Sequence, residues 1–294
     1  RERAWVEIVE RHRDLVAASA LHALARAARD AGLDGARVIT DDPRVGGWLE
    51  QHGVRPASLR YDVSFFNEIR KIKTTPEIEL MRVAARANEQ ALLAAGDSLR
   101  DGAEWSEIET VYMTEMARQG ARGVYCICGV GGLPAGRVRR GEPVLLDALG
   151  QYRHYHGDFG RSAVLGEPSG EHRRRYAALQ AGWDAIRPLL RPGTRYGELE
   201  RVAIETVRSN GFPEFRYVTP HGLGLEHTDD PKPVGAQPGT KPDQVLEPGM
   251  VINVDMPYTE IGWGSLHLED TVLITADGHE LLTTAGLDLR CVPG

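Results

Sequence analysis

Four acidic residues end or interrupt apolar, strand-like segments of the chain. Asp147 follows Val144–Leu146, and Asp158 comes eleven residues later, where the pattern predicts the return strand of a hairpin. Asp255 closes the run VINVD, and Glu269 follows LHL. Burying an ionised carboxylate without a partner is costly, so acids on core-facing strands need cations to neutralise them.

Two divalent metal ions would supply four positive charges against these four carboxylates. His221 adds an imidazole, and it lies in TPHGLGL, where glycines allow the backbone to approach a ligand closely. Oxygen-rich coordination with one imidazole suits Mn, Co, Fe or Zn. Taken singly, each acid has another explanation, such as a turn residue or the partner of an arginine. Jointly, they predict one site for two divalent metal ions, with five ligands: Asp147, Asp158, His221, Asp255 and Glu269.

The acids lie in the second half of the chain, where strands and helices come in blocks. Strands are predicted at 143–147, 152–158, 249–257 and 265–275. Apolar residues at helical spacing predict helices at about 171–190 and 196–209. Strands, two helices and strands again indicate an α+β domain with a mostly antiparallel sheet.

The N-terminal part of the chain predicts a smaller α/β segment. Residues 3–30 are rich in Ala and Leu and predict one or two helices that end near Gly32. A strand is predicted at 36–40 and a short helix at 43–53. We therefore expect a first domain over residues 1–66.

Two helices are expected at the start of the second domain, residues 67–294. Thr75 is predicted to cap the first, with Pro76 as its first residue, where a missing N–H costs nothing. Ser106, with Glu109 three residues on, predicts a capping box at the start of the second.

Composition argues against several classes of protein. Of 294 residues, 41% are hydrophobic and 26% charged, which is typical of a soluble globular protein. The formal net charge of −7 provides no basic field for nucleic acid, and no apolar run or signal-peptide pattern indicates a membrane partner. Three cysteines are too few for a disulfide framework, so Cys126 and Cys128 are predicted to be buried strand thiols in a cytoplasmic protein.

Five segments of the sequence, in this order and spacing, resemble the pita-bread metallohydrolases. The segments are NEIRKIKTTPEIELMR, VLLDALGQYRHYHGDFGRSA, PHGLGLEH, LEPGMVINVDMP and LHLEDTVLIT. This family includes Xaa-Pro aminopeptidase, prolidase, methionine aminopeptidase and, without metal, creatinase. The resemblance covers about three quarters of the chain. It implies a pita-bread fold over 67–294 and a partial creatinase-type α/β domain over 1–66.

The resemblance also implies a role for each predicted metal ligand. Asp147 would bind the first metal ion, Asp158 and Glu269 would bridge both, and His221 and Asp255 would complete the second. A metal-bridging hydroxide would then attack an amide-like carbonyl.

His221 and His227 are the catalytic histidines that the resemblance implies, with His227 in contact with the substrate or the reaction intermediate. The expected activity is that of an Xaa-Pro dipeptidase- or aminopeptidase-like metallohydrolase acting on a small peptide or amide-like substrate. The resemblance further implies a homodimer.

The sequence departs from the family pattern at three places around the site. Asp255 stands where the peptidases have Glu, His267 replaces an arginine, and the stretch 126–144 lacks the expected histidine. His154 and His156, expected on one strand face, could substitute as acid/base groups. These departures leave two alternatives open. One is a non-peptidase enzyme on the same scaffold, such as a creatinase- or ectoine-hydrolase-like amidohydrolase or a metal-dependent lyase, and the other is a catalytically silent binding protein.

Overall fold

The computed structural model describes residues 20–62, 64–129, 136–231 and 243–293. The chain divides into two compact units, Arg1–Ile69 and Arg70–Gly294. The part of the predicted N-terminal helix at 3–19 lies outside the described residues. Within the described ranges, no helix combines the length and the apolar composition that crossing a membrane requires.

The first unit is a small α/β arrangement, as its sequence predicts. Its elements are α1 (Ala20–Asp30), β1 (Arg37–Thr40), α2 (Val45–Gln51), β2 (Ser58–Tyr61) and α3 (Phe65–Arg70), which ends at the first residue of the second unit. Strands β1 and β2 pair in parallel. Ala25, Ala28, Leu49 and Val54 form its buried core. The relation of this unit to a creatinase-type domain stays a prediction.

The second unit contains four α-helices and eight strands among the described residues. Its helices are α4 (Thr75–Asp97), α5 (Trp105–Arg118), α6 (Gly170–Ile186), followed by a 3₁₀ turn at Arg187–Leu189, and α7 (Tyr196–Ser209). Its strands are β3 (Arg122–Gly129), β4 (Pro143–Tyr152), β5 (Tyr155–Leu165), β6 (Thr219–Gly222), β7 (Val251–Glu260), β8 (Gly264–Ile274), β9 (His279–Leu281) and β10 (Arg290–Val292). The predicted α+β class is confirmed.

Six strands of the described chain form one continuous sheet in the order β3-β4-β5-β8-β7-β6, and every pairing along it is antiparallel. Strand β9 joins β8 antiparallel, and β10 joins β5 in parallel. The predicted mostly antiparallel sheet is therefore confirmed. Antiparallel strands can bury one face only, and this sheet uses that freedom to separate a core face from a polar one.

Alternation along each strand directs the acids away from the helices. On β4, Leu146 and Ala148 pack in a core with α4 and α5, so Asp147 between them points to the opposite face. On β7, Val254 and Met256 pack in the core that includes α6 and α7, and Asp255 lies between them. The apolar residues thus determine which face carries the chemistry.

Two helix starts differ by one or two residues from the prediction. Thr74, not Thr75, caps α4, because Glu77 lies three residues on and its Oε2 accepts the Thr74 backbone N–H at 2.7 Å. The cap of α5 is Glu104, not Ser106, and its N–H donates to Glu107 at 3.0 Å. The capping box thus begins one residue before the predicted cap in α4 and two residues before it in α5.

His154 does not share a strand face with His156, which corrects the prediction. Arg153 and His154 form the two-residue turn between β4 and β5, with φ of 48° and 73°. Tight two-residue hairpins require positive φ at both central residues, so this position is a turn rather than a strand. His154 is exposed there, whereas His156 is buried in β5.

Gly157 lets α4 lie directly against β5. A Cβ at this position would overlap the carbonyl group of Ala84 and lie 2.6 Å from the amide nitrogen of Ala85. Backbone on both sides leaves no flexible side chain that could move away. The close contact of helix and strand, and with it the position of Asp158, depends on this glycine.

We expect Gly157→Ala to lower the free energy of unfolding by about 1–3 kcal/mol, the usual cost of overpacking. Gly170→Ala is the matched control, because a Cβ there would meet no described atom within 4 Å and Ala favours the helix that begins at this residue. Urea unfolding of both variants measures the difference. Equal midpoints for the two variants would contradict the account of the α4–β5 contact.

Candidate metal centre

Strand register brings three of the predicted ligands into one row across the sheet. Asp147 on β4 lies opposite Gly160 on β5, and Gly160 lies opposite Glu269 on β8. Glu269 in turn lies opposite Asp255 on β7, and Asp255 lies opposite Thr219 on β6. Directly paired residues point to the same side of a sheet. Five strands therefore contribute to one row on the polar face.

A second group of ligand-type atoms lies beside this row. Asp158 is two residues along β5 from Gly160 and so points to the same face. Asp158 Oδ2 lies 3.6 Å from His221 Nε2 and 3.1 Å from His227 Nε2. One ligand atom from each of the three residues lies within 4.8 Å of the others. Asp158 and His221 are predicted metal ligands, and His227 is the residue predicted to contact the substrate.

The other group consists of Asp147, His267 and Glu269, again with ligand atoms within 4.8 Å of one another. His267 entered the sequence analysis only as the replacement of an arginine, and the structure places it at the centre of the site. Asp255, a predicted ligand, belongs to neither group among the described residues. Its Oδ1 lies 2.5 Å from His267 Nε2, and its Oδ2 accepts a hydrogen bond of 2.7 Å from Thr219 Oγ1.

Both groups border a cavity of about 260 Å³. The residues that line it are Tyr125, Asp147, Thr219, His221, His227, Thr228, Asp255 and Glu269. The sequence analysis missed Tyr125, Thr219 and Thr228. Thr219 could have been predicted, because it precedes His221 by two residues on one strand and so lies on the same face. Tyr125 gave no such signal, since its strand carries no acidic residue.

His156 does not line this cavity, which bears on its suggested acid/base role. Its Nε2 accepts from Gln151 Nε2 at 2.7 Å, and its Nδ1 lies 3.1 Å from the Gly224 carbonyl oxygen. Both ring nitrogens are thus engaged, Nε2 by Gln151 on β4 and Nδ1 by Gly224 in the loop that leads to His227. Burial lowers the pKa of His156, so the ring is neutral in this setting.

Crowded carboxylates perturb one another strongly in the site. Burial, together with the charges of Asp158 and Asp255, raises the pKa of Asp147 to about 7 against the opposing effect of His267. Burial, followed by the charges of Asp158 and Asp147, also raises the pKa of Glu269 well above its usual value. Protons are held here because no lysine or arginine of the described chain pairs with these acids.

The donor set suits divalent metal ions. Both carboxylate oxygens of Asp158, together with Glu269 Oε2, are buried and have no hydrogen-bond partner among the described residues. Buried carboxylate oxygens without donors are rare unless a cation binds them. Carboxylate oxygens combined with imidazole nitrogens are ligands that Mn, Fe, Co and Zn accept. The residues present therefore fit the predicted class of ion.

His227 lies at the outer side of this set, with 41% of its side chain exposed. Burial lowers its pKa, but Asp158, 3.1 Å away, and the charges of Asp147 and Asp255 outweigh burial, so the pKa of His227 is raised overall. Tyr125 approaches from another strand, with its hydroxyl 3.5 Å from His227 Nε2. A partly exposed imidazole with a raised pKa is thus held beside the buried carboxylates.

The family model of metallopeptidase family M24 matches residues 79–276, about two thirds of the chain. The chain belongs to metallopeptidase family M24. All five predicted metal ligands lie within the matched residues, and the predicted resemblance is confirmed.

Named relatives in family M24 include peptidases. The chain is 29% identical over 233 residues to an Xaa-Pro dipeptidase of Pyrococcus furiosus, covering 76% of this chain and 66% of the relative. It is 28% identical over 253 residues to a probable dipeptidase PepE of Mycobacterium tuberculosis, covering 82% and 65%. The chain thus spans just under two thirds of the length of these curated relatives.

Solved structures of M24 proteins share the fold. The prolidase from Pyrococcus furiosus matches with a TM-score of 0.75 and 25% identity, covering 85% of this chain and 77% of that one. An X-Pro aminopeptidase from Thermotoga maritima matches with a TM-score of 0.81, covering 94% and 81%, and its 22% identity speaks to the fold alone. The predicted pita-bread fold is confirmed.

We expect the metal-free protein to lose stability as the pH rises from about 4 to about 7. Asp147 has a usual pKa of 3.8 and a folded pKa of about 7. The folded state therefore binds more protons than the unfolded state in this window, and the free energy of unfolding falls as those protons leave. Thermal unfolding in chelator across this pH range measures the slope.

Asp147→Asn is the control for that slope, because it removes the titrating group and keeps the side-chain size. The slope should become shallower in this variant. A divalent ion added at neutral pH should raise the melting temperature of the unsubstituted protein. An unchanged slope in Asp147→Asn would show that the acid does not titrate as its surroundings require.

Proposed function

We propose that this chain carries the catalytic site of a metal-dependent hydrolase that cleaves a peptide-like C–N bond in a small peptide, with an Xaa-Pro dipeptide as the leading substrate. The observation that carries the proposal is the set of buried carboxylate oxygens without donors around one cavity, in a chain of family M24. The names of the relatives, Xaa-Pro dipeptidase and dipeptidase, support the choice of substrate.

The cavity favours a short ligand over a folded protein. Its volume is about 260 Å³, and its wall combines carboxylates with imidazole and phenol groups. Such a site can bind the polar backbone of a dipeptide through hydrogen bonds, whereas little apolar surface is present to recognise a large side chain.

In this proposal Asp147, Asp158, His221 and Glu269 hold two divalent ions. Ions of this kind activate water as a nucleophile and stabilise negative charge on the carbonyl oxygen of the amide whose C–N bond is cleaved. His221 has the tautomer that can bind an ion through Nε2, because its Nδ1 lies 3.1 Å from the Gly222 carbonyl oxygen and so carries the proton. Its Nε2 is then the unprotonated nitrogen on the side of Asp158.

His227 would act as the hydrogen-bond donor to the substrate. Its raised pKa favours the protonated ring, and its partial exposure leaves the imidazole accessible from the cavity. Asp158 orients the ring, with its Oδ2 3.1 Å from His227 Nε2. A donor positioned in this way stabilises negative charge on the carbonyl oxygen as the bond to the attacking water forms.

A second candidate function is a non-peptidase enzyme on the same scaffold, either an amidohydrolase or a metal-dependent lyase. The specific observation in its favour is the contact between Asp255 and His267, two positions at which the sequence departs from the peptidase pattern. A changed wall changes which substrate fits, even where the metal chemistry is retained. The choice of metal among Mn, Co, Fe and Zn, the homodimer and the cytoplasmic location stay predictions.

We expect the protein loaded with Mn²⁺ or Co²⁺ to release amino acids from Xaa-Pro dipeptides and to lose this activity in chelator. Asp158→Asn should lower kcat/KM by more than about 100-fold, because even the loss of an outer partner of a metal ligand costs about 10–100-fold. The exposed helix variant Asp184→Asn is the matched control. Activity on a small amide with none on any dipeptide would favour the second candidate, and normal turnover by Asp158→Asn would contradict the site.

His227→Ala should lower kcat by about 10²–10⁴-fold, the usual contribution of a positioned acid/base group. It should leave the metal content unchanged, because His227 is assigned to the substrate rather than to the ions. Elemental analysis of the purified variant, alongside steady-state kinetics, separates the two roles. Loss of one metal equivalent would instead make His227 a metal ligand.

A further inference from the structure

Asp255 is occupied on both sides of its carboxylate. Its Oδ2 accepts the hydroxyl of Thr219 at 2.7 Å, and its Oδ1 lies 2.5 Å from His267 Nε2. Both contacts join neighbouring strands, so the sheet holds the carboxylate from two directions. The Asp255 carboxylate therefore accepts the hydrogen of His267 Nε2.

The other nitrogen of His267, Nδ1, is buried beside Gly160. The side chain is 1% exposed, and its Nδ1 has no hydrogen-bond partner among the described residues. A Cβ at Gly160 would overlap this Nδ1 and would lie 2.6 Å from Glu269 Oε2. Only glycine at position 160 therefore allows His267 Nδ1 and Glu269 Oε2 to lie this close to β5, and Glu269 Oε2 is also 3.8 Å from His267 Nε2.

This arrangement matches the usual environment of a histidine that binds a metal ion. Such histidines donate one ring N–H to a carboxylate and present the other nitrogen to the ion. We infer that His267 binds one of the two divalent ions through Nδ1, together with Asp147 and Glu269, and that Asp255 orients the imidazole instead of binding the ion. The inference rests on the metal centre of the proposed function.

The assignment changes the chemistry of the site. The carboxylate of Asp255 no longer binds an ion but holds a ligand in place, and the imidazole of His267 binds the ion instead. Imidazole suits Zn and Fe, whereas carboxylate-rich sites suit Mn, so the protein should prefer Zn²⁺ over Mn²⁺ more strongly than the variant Asp255→Glu/His267→Arg. That double variant introduces the pair of residues that the peptidase pattern has at these positions.

The test is calorimetric titration of the metal-free protein with Co²⁺, Zn²⁺ and Mn²⁺. His267→Gln should weaken one of two metal equivalents by at least about 10-fold, the lower bound for losses near a metal. His279→Gln is the matched control, since this half-buried histidine on β9 bonds only a backbone carbonyl among the described partners. Asp255→Glu/His267→Arg should bind two equivalents again, with the preference moved towards Mn²⁺.

A second measurement avoids any change at His267. In the Co²⁺-loaded His227→Ala protein, proton NMR should show two exchangeable, strongly shifted imidazole N–H signals, one from His221 and one from His267. One signal only would overturn the inference, as would wild-type affinity in a folded His267→Gln variant. If Asp158→Asn loses metal in the same titrations, the proposed function stands without His267. If the wild type binds none of the three ions, both proposals fail.

Discussion

Electrostatic repulsion between carboxylates that the sheet holds in register is the constraint on which the rest of the site depends. Antiparallel pairing sets Asp147 and Glu269 on either side of Gly160, and it sets Asp255 beyond Glu269. The hydrogen bonds between four strands, β4, β5, β8 and β7, would have to change before these acids could separate. A rigid backbone that concentrates negative charge requires compensation by protons or by cations.

On the opposite face of the same strands, a buried acid with a structural role is paired with an arginine. Asp270 is adjacent to Glu269 and points to the core side, where its Oδ1 lies 2.8 Å from Arg161 Nη2 and accepts the hydroxyl of Thr283. Both charged side chains are almost completely buried. The Oδ2 of Asp270 has no hydrogen-bond partner among the described residues, but the guanidinium of Arg161 balances its charge. The acids on the site face have no such arginine in the described chain, so their charge is left for ligands to balance.

Much of the site was predictable because its determinants are local. Asp147 and Asp255 each interrupt an apolar alternation, and that pattern alone assigns them to the face away from the helices. The contact between His267 and Asp255 was not predictable in this way, because it depends on the register of β7 against β8 and on the empty position at Gly160. Tyr125 was missed for a related reason, since only the fold brings its strand to the cavity. The wrong position of His154 came from counting a turn residue as part of a strand.

The Asp255–His267 pair shows how the chemistry of a site can change while the fold that carries it stays the same. The two residues lie on neighbouring strands, and their side chains meet although their backbones are not directly opposite. The carboxylate of Asp255 contacts Thr219 on β6 and His267 on β8. These are side-chain contacts, whereas the pairing of the three strands is made by backbone hydrogen bonds. A scaffold of this kind can alter the ions it prefers and the wall that meets the substrate while every strand stays in register.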